Sequence, residues 1–202
     1  MKLNKKGFTL IELLAVIVIL GVLLAIAIPS VTKYINISKK STYIDNVQSY
    51  AMAAKNQATI GTYKYPVNNN EATVVYFSSI VEHLDKGGKT SSYGSEFEKD
   101  NSFVVIANEG TAEDPKYEMY IAAIDADNYG IGVIATDKSI TAEAIAYNDL
   151  KNDNIVQITS GTGSSLTAGA NSTSTVKVTN ISRSNNTSTV TNKTFTVTNQ
   201  YK

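Results

Sequence analysis

The chain opens with a short basic segment that is followed by a long apolar run. Residues 1–7 carry three lysines, and the next twenty-one residues, Phe8 to Ile28, contain a single charged side chain, Glu12. At about 1.5 Å per residue, an α-helix of this length spans roughly 30 Å, the thickness of the hydrocarbon core of a bilayer. The lysines favour a cytoplasmic position for the end that carries them. The pattern therefore predicts a membrane-spanning helix.

An amphipathic pattern continues the apolar run. Apolar residues with a 3-4-3-4 spacing, typical of a helix with one buried face, stand at Ile44, Val47, Ala51, Ala54 and Ala58. Gly61 predicts the end of this helix, because glycine is favoured just beyond a helix C terminus. The chain thus predicts one helix over residues 8–60, of about 80 Å. Its transmembrane half is 8–28 and its amphipathic half is 29–60, and the small alanines predict close packing against a sheet.

Two residues weaken the long helix. Pro29 has no amide hydrogen and costs a helix interior about 3 kcal/mol. Gly21, eight residues earlier, adds backbone freedom that disfavours the helix. We therefore expect a kink near Pro29.

The remaining residues, 61–202, predict a head built mainly from strands. Strand-like segments are Ser102–Ala107, Tyr117–Ile124 and Tyr129–Thr136, and the polar residues 125–128 predict a hairpin turn between the last two. Two further segments predict short helices: Val74–Leu84, which ends at a pair of glycines, and Ile140–Leu150.

The C-terminal segment is strongly polar. From residue 161 to residue 200, twenty-four of forty residues are Ser, Thr or Asn. Such a composition is compatible with a disordered stalk. However, Thr175–Thr179 and Thr194–Thr198 alternate apolar and polar residues on either side of a polar loop around Ser184–Asn186. This alternation favours a late hairpin with one buried face, preceded by a loop over 161–172.

Composition argues against several kinds of chemistry. Lys and Arg together number 18, as do Asp and Glu, so the net charge is zero. The chain therefore lacks the excess of basic residues that is typical of nucleic-acid binding proteins. There is no cysteine and only one histidine, His83, which argues against disulfides, thiolate or multi-histidine metal sites and a histidine-based triad. We expect no catalytic residue, no cofactor, no metal site and no enzyme.

Three local motifs also fail to predict a site. Gly88-Lys89-Thr90 resembles the end of a phosphate-binding loop, but His83 stands where the first glycine belongs. Residues 125–130 have acids and a glycine at calcium-loop offsets, but Tyr129 and Thr136 replace required ligands. We therefore expect a hairpin turn there and a surface position for His83.

Glu12 is the exceptional residue of the apolar run. An ionisable group near the edge of the hydrocarbon costs about 2–3 kcal/mol, so it calls for a partner. A buried core helix is a poor interpretation, because the run is apolar on every side. A secretory signal is a better one, since Ala25-Ile26-Ala27 offers a cleavage site. However, a secretory signal does not explain why an acidic residue, Glu12, stands in the apolar run.

A third interpretation explains Glu12. Lys5-Lys6-Gly7, then Phe8-Thr9-Leu10-Ile11-Glu12, then an apolar helix with Gly21 and Pro29, closely resemble the prepilin signal of type IV pilins. The resemblance implies that a prepilin peptidase cleaves after Gly7 and methylates the new amino group of Phe8. Cleavage leaves 15 basic against 18 acidic side chains, a net charge of −3.

The resemblance also implies a role for the acid. Glu12 of an incoming subunit meets the Phe8 amine of a neighbour already in the filament, and the segment from Gly21 to Pro29 loosens on assembly. Opposite charges attract strongly where water is scarce, and each is penalised alone. Glu12 is therefore expected to stay unmatched in lipid until a neighbouring subunit supplies the amine.

The fold implied is α+β, the pilin fold: a leader over 1–7, a long N-terminal helix, and a head whose antiparallel β-sheet packs against the second half of that helix. Residues 61–101 correspond to the αβ-loop and residues 102–202 to the sheet region. Pilins of Gram-negative bacteria commonly close the C-terminal region with a disulfide. The lack of cysteine points instead to a Gram-positive member.

The function implied is that of a structural subunit of a type IV pilus, used for adhesion, twitching motility or aggregation. The expected partners are further copies in a helical homopolymer, the prepilin peptidase, the pilus assembly machinery and the cytoplasmic membrane, which holds the subunit before it reaches the cell surface. Two alternatives stay open. One is a pseudopilin of a type II secretion or DNA-uptake system, and the other is an exported binding protein cleaved after Ala27.

Overall fold

The computed structural model describes residues 9–84, 88–136, 139–158, 175–184 and 187–202. The chain divides into two compact units, residues 1–39 and 40–202. Helix α1, Leu10–Thr59, begins in the first unit and ends in the second. The later elements are β1 (Glu71–Tyr76), α2 (Phe77–Ile80), β2 (Phe103–Asn108), β3 (Tyr117–Ile124), β4 (Tyr129–Ile131), β5 (Val133–Thr136), β6 (Ser139–Ala142), β7 (Ala144–Ala146), β8 (Val156–Gln157), β9 (Thr175–Ser184) and β10 (Thr187–Tyr201).

The part of α1 in the first unit is apolar on all sides. From Leu10 to Val31 its large aliphatic side chains are between 51% and 82% exposed. This stretch is long and apolar enough to cross a membrane, and none of its most apolar window is buried within the described chain. Exposed apolar surface of this extent is unfavourable in water. The segment therefore requires lipid or other protein around it.

Helix α1 is continuous through the two residues that disfavour it. Gly21 and Pro29 lie inside α1 without interrupting it. The hydroxyl of Thr32 donates to the carbonyl oxygen of Ile28 at 2.9 Å, one turn below. The loosening expected between Gly21 and Pro29 stays a prediction about the assembled state.

The predicted end of the helix is confirmed to within one residue. The last helical residue is Thr59, and Gly61 follows with φ of +88°, a left-handed conformation that glycine adopts without strain. The amide of Thr62 donates back to the carbonyl oxygen of Gln57 at 2.9 Å. Such bonds satisfy carbonyl groups that have no partner within the helix.

The strands of the second unit form a closed ring. Six of the described strands follow one another in the order β1-β10-β9-β7-β3-β2, and β2 pairs with β1 to complete the circle. The pairs β1–β10 and β7–β9 are parallel, and the other four are antiparallel. The expected long helix and α+β head are confirmed, but the sheet is mixed rather than wholly antiparallel. Parallel neighbours need long connections, and most of the head connects β1 to β10.

Strand β2 of the ring is buried on both faces. In β2, Phe103 and Val105 point into one hydrophobic cluster, inside the ring, while Val104 and Ile106 point into a second cluster that includes α1. All six residues of β2 are therefore buried. Period-two alternation of apolar and polar residues disappears when both faces are covered.

The second half of α1 packs on the outer cluster, as the alanine spacing predicted. Ala51 and Ala54 are fully buried and Ala58 is 4% exposed. Small side chains let the helix approach the strands closely. Beside them the ring of Tyr50 stacks on that of Phe77, with centroids 3.7 Å apart.

Of the two short helices predicted in the head, the first is partly confirmed and the second is wrong. Of Val74–Leu84, the first three residues belong to β1, and the helix that follows is limited to Phe77–Ile80 and a 3₁₀ turn, Val81–His83. The segment 140–150 instead holds residues of β6, then β7 and a 3₁₀ turn, Tyr147–Asp149. Strand β7 pairs with β3 on one side and with β9 on the other. This pairing overrides the helix propensity of its alanines.

The other strand predictions are largely confirmed. The late hairpin exists and is longer than expected, because β9 and β10 pair from Thr175 opposite Thr196 to Ser184 opposite Thr187. The strand predicted over 129–136 is divided at Gly132, where φ is +65° and an added Cβ would lie 2.4 Å from the carbonyl oxygen of Ile121. The loop predicted over 161–172 lies outside the described residues.

A fragment that lacks residues 1–34 is expected to be soluble and to unfold cooperatively. The described residues that form both hydrophobic clusters begin at Tyr43, so the deletion removes no core side chain. Circular dichroism during thermal unfolding checks this. An insoluble fragment, or one that melts without a cooperative transition, would contradict the division at residue 40.

Candidate functional site

The first turn of α1 holds the acid of the apolar run in a defined position. Thr9 precedes the first helical residue, and both its backbone amide and its hydroxyl donate to Oε2 of Glu12 at 2.8 Å. In return the amide of Glu12 donates to Oγ1 of Thr9 at 3.3 Å. The carbonyl oxygen of Thr9 accepts the first helical bond, from the amide of Leu13, at 3.3 Å.

This arrangement is a capping box. In it the side chain before the helix binds the third helical amide, and the third side chain binds back to the amide of the capping residue. Helix termini otherwise leave such amides without partners. The sequence signal, Thr-x-x-Glu before an apolar run, is visible at residues 9–12. The interpretation of Glu12 as an unmatched charge in lipid overlooked this signal.

The cap changes the electrostatics expected for Glu12. The carboxylate already has a neutral partner in its own chain, since Thr9 supplies two donors, while pairing of its charge with the amine of a neighbour stays a prediction. The positive end of the helix dipole also favours a carboxylate in the first turn. A carboxylate offers about four acceptor positions. Two bonds from Thr9 therefore leave room for a further donor.

The other residues predicted to act at this end fall into two groups. Gly7 and Phe8, the predicted cleavage and methylation positions, lie outside the described residues. Gly21 is described, and a Cβ added there would meet no heavy atom within 4 Å in the described part of the chain. The fold of a single chain therefore does not explain a glycine at this position.

The buried carboxylate of the head, Asp125, has a structural role. Asp125 is fully buried; its Oδ2 accepts the Ser91 hydroxyl at 2.5 Å, and its Oδ1 accepts the amides of Asp127 and Tyr129 at 3.1 and 2.8 Å. Burial raises the pKa of Asp125, and the bond from Ser91 opposes that rise. The predicted hairpin turn is confirmed. His83 is exposed, as expected for a surface histidine.

Comparison with known proteins identifies the N-terminal segment. Residues 2–28 match the family model of the prokaryotic N-terminal methylation motif, the type IV prepilin leader. No match to the chain was found among curated proteins or among solved structures. The motif indicates a type IV pilin-like or pseudopilin protein. It implies processing by a prepilin peptidase and anchoring in the membrane through the apolar helix.

Replacing Thr9 by valine is expected to loosen the first turn of α1. The variant removes the hydroxyl that binds Glu12 in both directions, and loss of a threonine cap costs about 0.5–2 kcal/mol. Hydrogen exchange in detergent micelles of the Glu12 amide, which donates to Oγ1 of Thr9, measures the effect. Thr9→Ser keeps the hydroxyl and should exchange as slowly as the wild type. Equally slow exchange in Thr9→Val would contradict the cap.

Replacing Asp125 by alanine is expected to destabilise the head by about 1–3 kcal/mol, because buried donors lose their acceptor. Asp127→Ala is the matched control, since Asp127 lies two residues away and is exposed. The free energy of unfolding in urea provides the comparison. Equal stability of the two variants would contradict a structural role for the Asp125 carboxylate.

Proposed function

We propose that this chain is the structural subunit of a type IV pilus and polymerises through the apolar half of α1. The observation that supports this most directly lies at one end of the chain: the prepilin leader motif over 2–28 includes the start of α1, whose aliphatic side chains the described chain leaves uncovered. Such a helix is stable first in lipid and then in a bundle of identical helices.

Removal of residues 1–7 creates one of the two groups that are proposed to set the register of addition. The new amine of Phe8 carries a positive charge, and Glu12 lies in the first turn of α1. In the proposed filament the Phe8 amine of one subunit pairs with Glu12 of another. The attraction is strong because the surroundings have a low dielectric constant.

The capping box stabilises part of the Glu12 charge already in the free subunit, before the filament adds the rest. While the subunit is alone in the membrane, the two bonds from Thr9 reduce the cost of the Glu12 carboxylate. In the filament the amine of a neighbour adds a third, charge-assisted bond, which is stronger than a neutral one. Glu12 therefore acts as a selector of register, while the contact area of leucine, isoleucine and valine supplies the main stabilisation.

The head is proposed to have a non-enzymatic role at the cell surface, in adhesion, twitching motility or aggregation. Its polar contacts support a structural use: Asp125 holds the hairpin turn and the 88–101 segment, and Lys193 Nζ lies 2.6 Å from Oε2 of Glu109, joining β10 to the residues after β2. The long Ser/Thr/Asn-rich C-terminal region favours a surface-displayed filament over a pseudopilin.

Mass spectrometry of the mature N terminus and electron microscopy of sheared filaments test the proposal in the host. We expect a chain that begins at methylated Phe8 and filaments made mainly of this chain. Glu12→Leu should reduce filaments by tenfold or more, about the effect of losing 1.4 kcal/mol, with the leader still removed. Glu82→Leu, on an exposed glutamate of the head, is the matched control.

Three outcomes would contradict the proposal. A mature chain that starts at Ile28 indicates an exported protein released after Ala27. A chain processed at Phe8 that stays sparse and confined to the envelope indicates a pseudopilin. Normal filament yield from Glu12→Leu would exclude the proposed pairing with Phe8.

A further inference from the structure

A small cavity in the head combines aromatic and polar side chains that the filament role does not use. It lies between the second half of α1 and the beginning of β3, and its volume is about 210 Å³. A cavity of about 150 Å³ is sufficient for benzene, while sites for drug-sized ligands start at about 300 Å³. The volume therefore suits one substituted six-membered ring.

Three tyrosines contribute to the cavity wall: Tyr65, Tyr117 and Tyr147. The rings of Tyr65 and Tyr117 are 4.4 Å apart between centroids and tilted by 36°. The hydroxyl of Tyr65 lies 3.2 Å from Oγ1 of Thr59, which helps to position that ring. Tyr117 is 41% exposed, so a large aromatic surface is open to a ligand.

The polar side chains of the wall are of three different kinds. Lys55 provides an ammonium group, Glu118 a carboxylate and Asn148 an amide. The amide nitrogen of Asn148 donates to Oε1 of Glu118 at 3.2 Å. Burial raises the pKa of Glu118, and the nearby carboxylate of Glu109 raises it further.

This mixture selects against a charged ligand. An anion attracted by Lys55 would be repelled by Glu118, and a cation would meet the opposite difficulty. A neutral ring with several hydroxyl groups can use all three side chains, because each hydroxyl both donates and accepts. A ring that also has an apolar face can lie on an aromatic side chain.

We propose that this cavity binds one ring of a neutral saccharide. The C–H face of the sugar lies against Tyr117, and its hydroxyl groups bind Lys55, Glu118 and Asn148. This inference goes beyond the filament role and does not depend on it, because all of these residues belong to the second unit. It gives the head a direct means of attaching to a glycan.

Saturation-transfer NMR on the full chain tests the proposal. The protein is held in micelles of a detergent without a sugar headgroup, and the probes are the methyl glycosides of glucose, galactose, mannose and N-acetylglucosamine. We expect saturation of at least one glycoside and an affinity about tenfold lower in Tyr117→Ala, the scale of losing one stacked ring. Tyr117→Phe, which keeps the ring, should bind as the wild type does.

Two further variants separate binding from folding. Tyr34→Ala removes an exposed tyrosine of the first unit and should leave binding unchanged. Asn148→Ala removes one hydrogen-bonding group without altering the aromatic wall and should weaken binding, so the proposal is still tested if Tyr117→Ala fails to melt cooperatively.

The proposal is overturned if none of the four glycosides is saturated, or if either Asn148→Ala or a folded Tyr117→Ala binds as the wild type does. It is also overturned if adenosine monophosphate is saturated and the glycosides are not, since a nucleotide would then be the ligand. Because these measurements use micelle-bound monomers, a negative result leaves the filament role unaffected, and absence of filaments leaves saccharide binding unaffected.

Discussion

An apolar helix that its own chain does not cover imposes the main constraint on this protein. The large side chains from Leu10 to Val31 are all at least half exposed, and none of the most apolar window is buried within the described residues. Such a surface is stable only in lipid or against other protein. The proposed function, in which one helix moves from lipid into a polymer, meets this constraint in both environments.

The cap at Thr9 shows how an ionisable side chain is accommodated at the edge of an apolar segment. The Glu12 carboxylate accepts hydrogen bonds from the amide and the hydroxyl of Thr9, and the Thr9 hydroxyl in turn accepts from the Glu12 amide, so two amides that a helix terminus leaves open have partners. The same residue therefore has a structural role in the free subunit and a proposed pairing role in the filament. In the proposed filament, the contribution of Glu12 to assembly comes from the additional bond rather than from a carboxylate without partners.

In the head, one closed ring of strands creates two cores. The inner one is filled by alternate strand residues, and the outer one receives the second half of α1. Closure also removes free strand edges within the ring, which otherwise promote aggregation. The proposed saccharide cavity lies where the helix, β3 and the turn at residues 147–149 meet, so its wall depends on elements that are distant in the chain.

Local patterns in the sequence determined the apolar helix, its end before Gly61, the Asp125 turn and the late hairpin, because each depends on neighbouring residues: run length, helix termination or period-two alternation. Only the tertiary structure decided the parallel pairing of β10 with β1, the strand identity of Ala144–Ala146 and the aromatic cavity. In these cases the partner lies far along the chain. A strand with two covered faces has no alternation to detect, and alanines accept either helix or strand until a neighbouring strand supplies the hydrogen bonds.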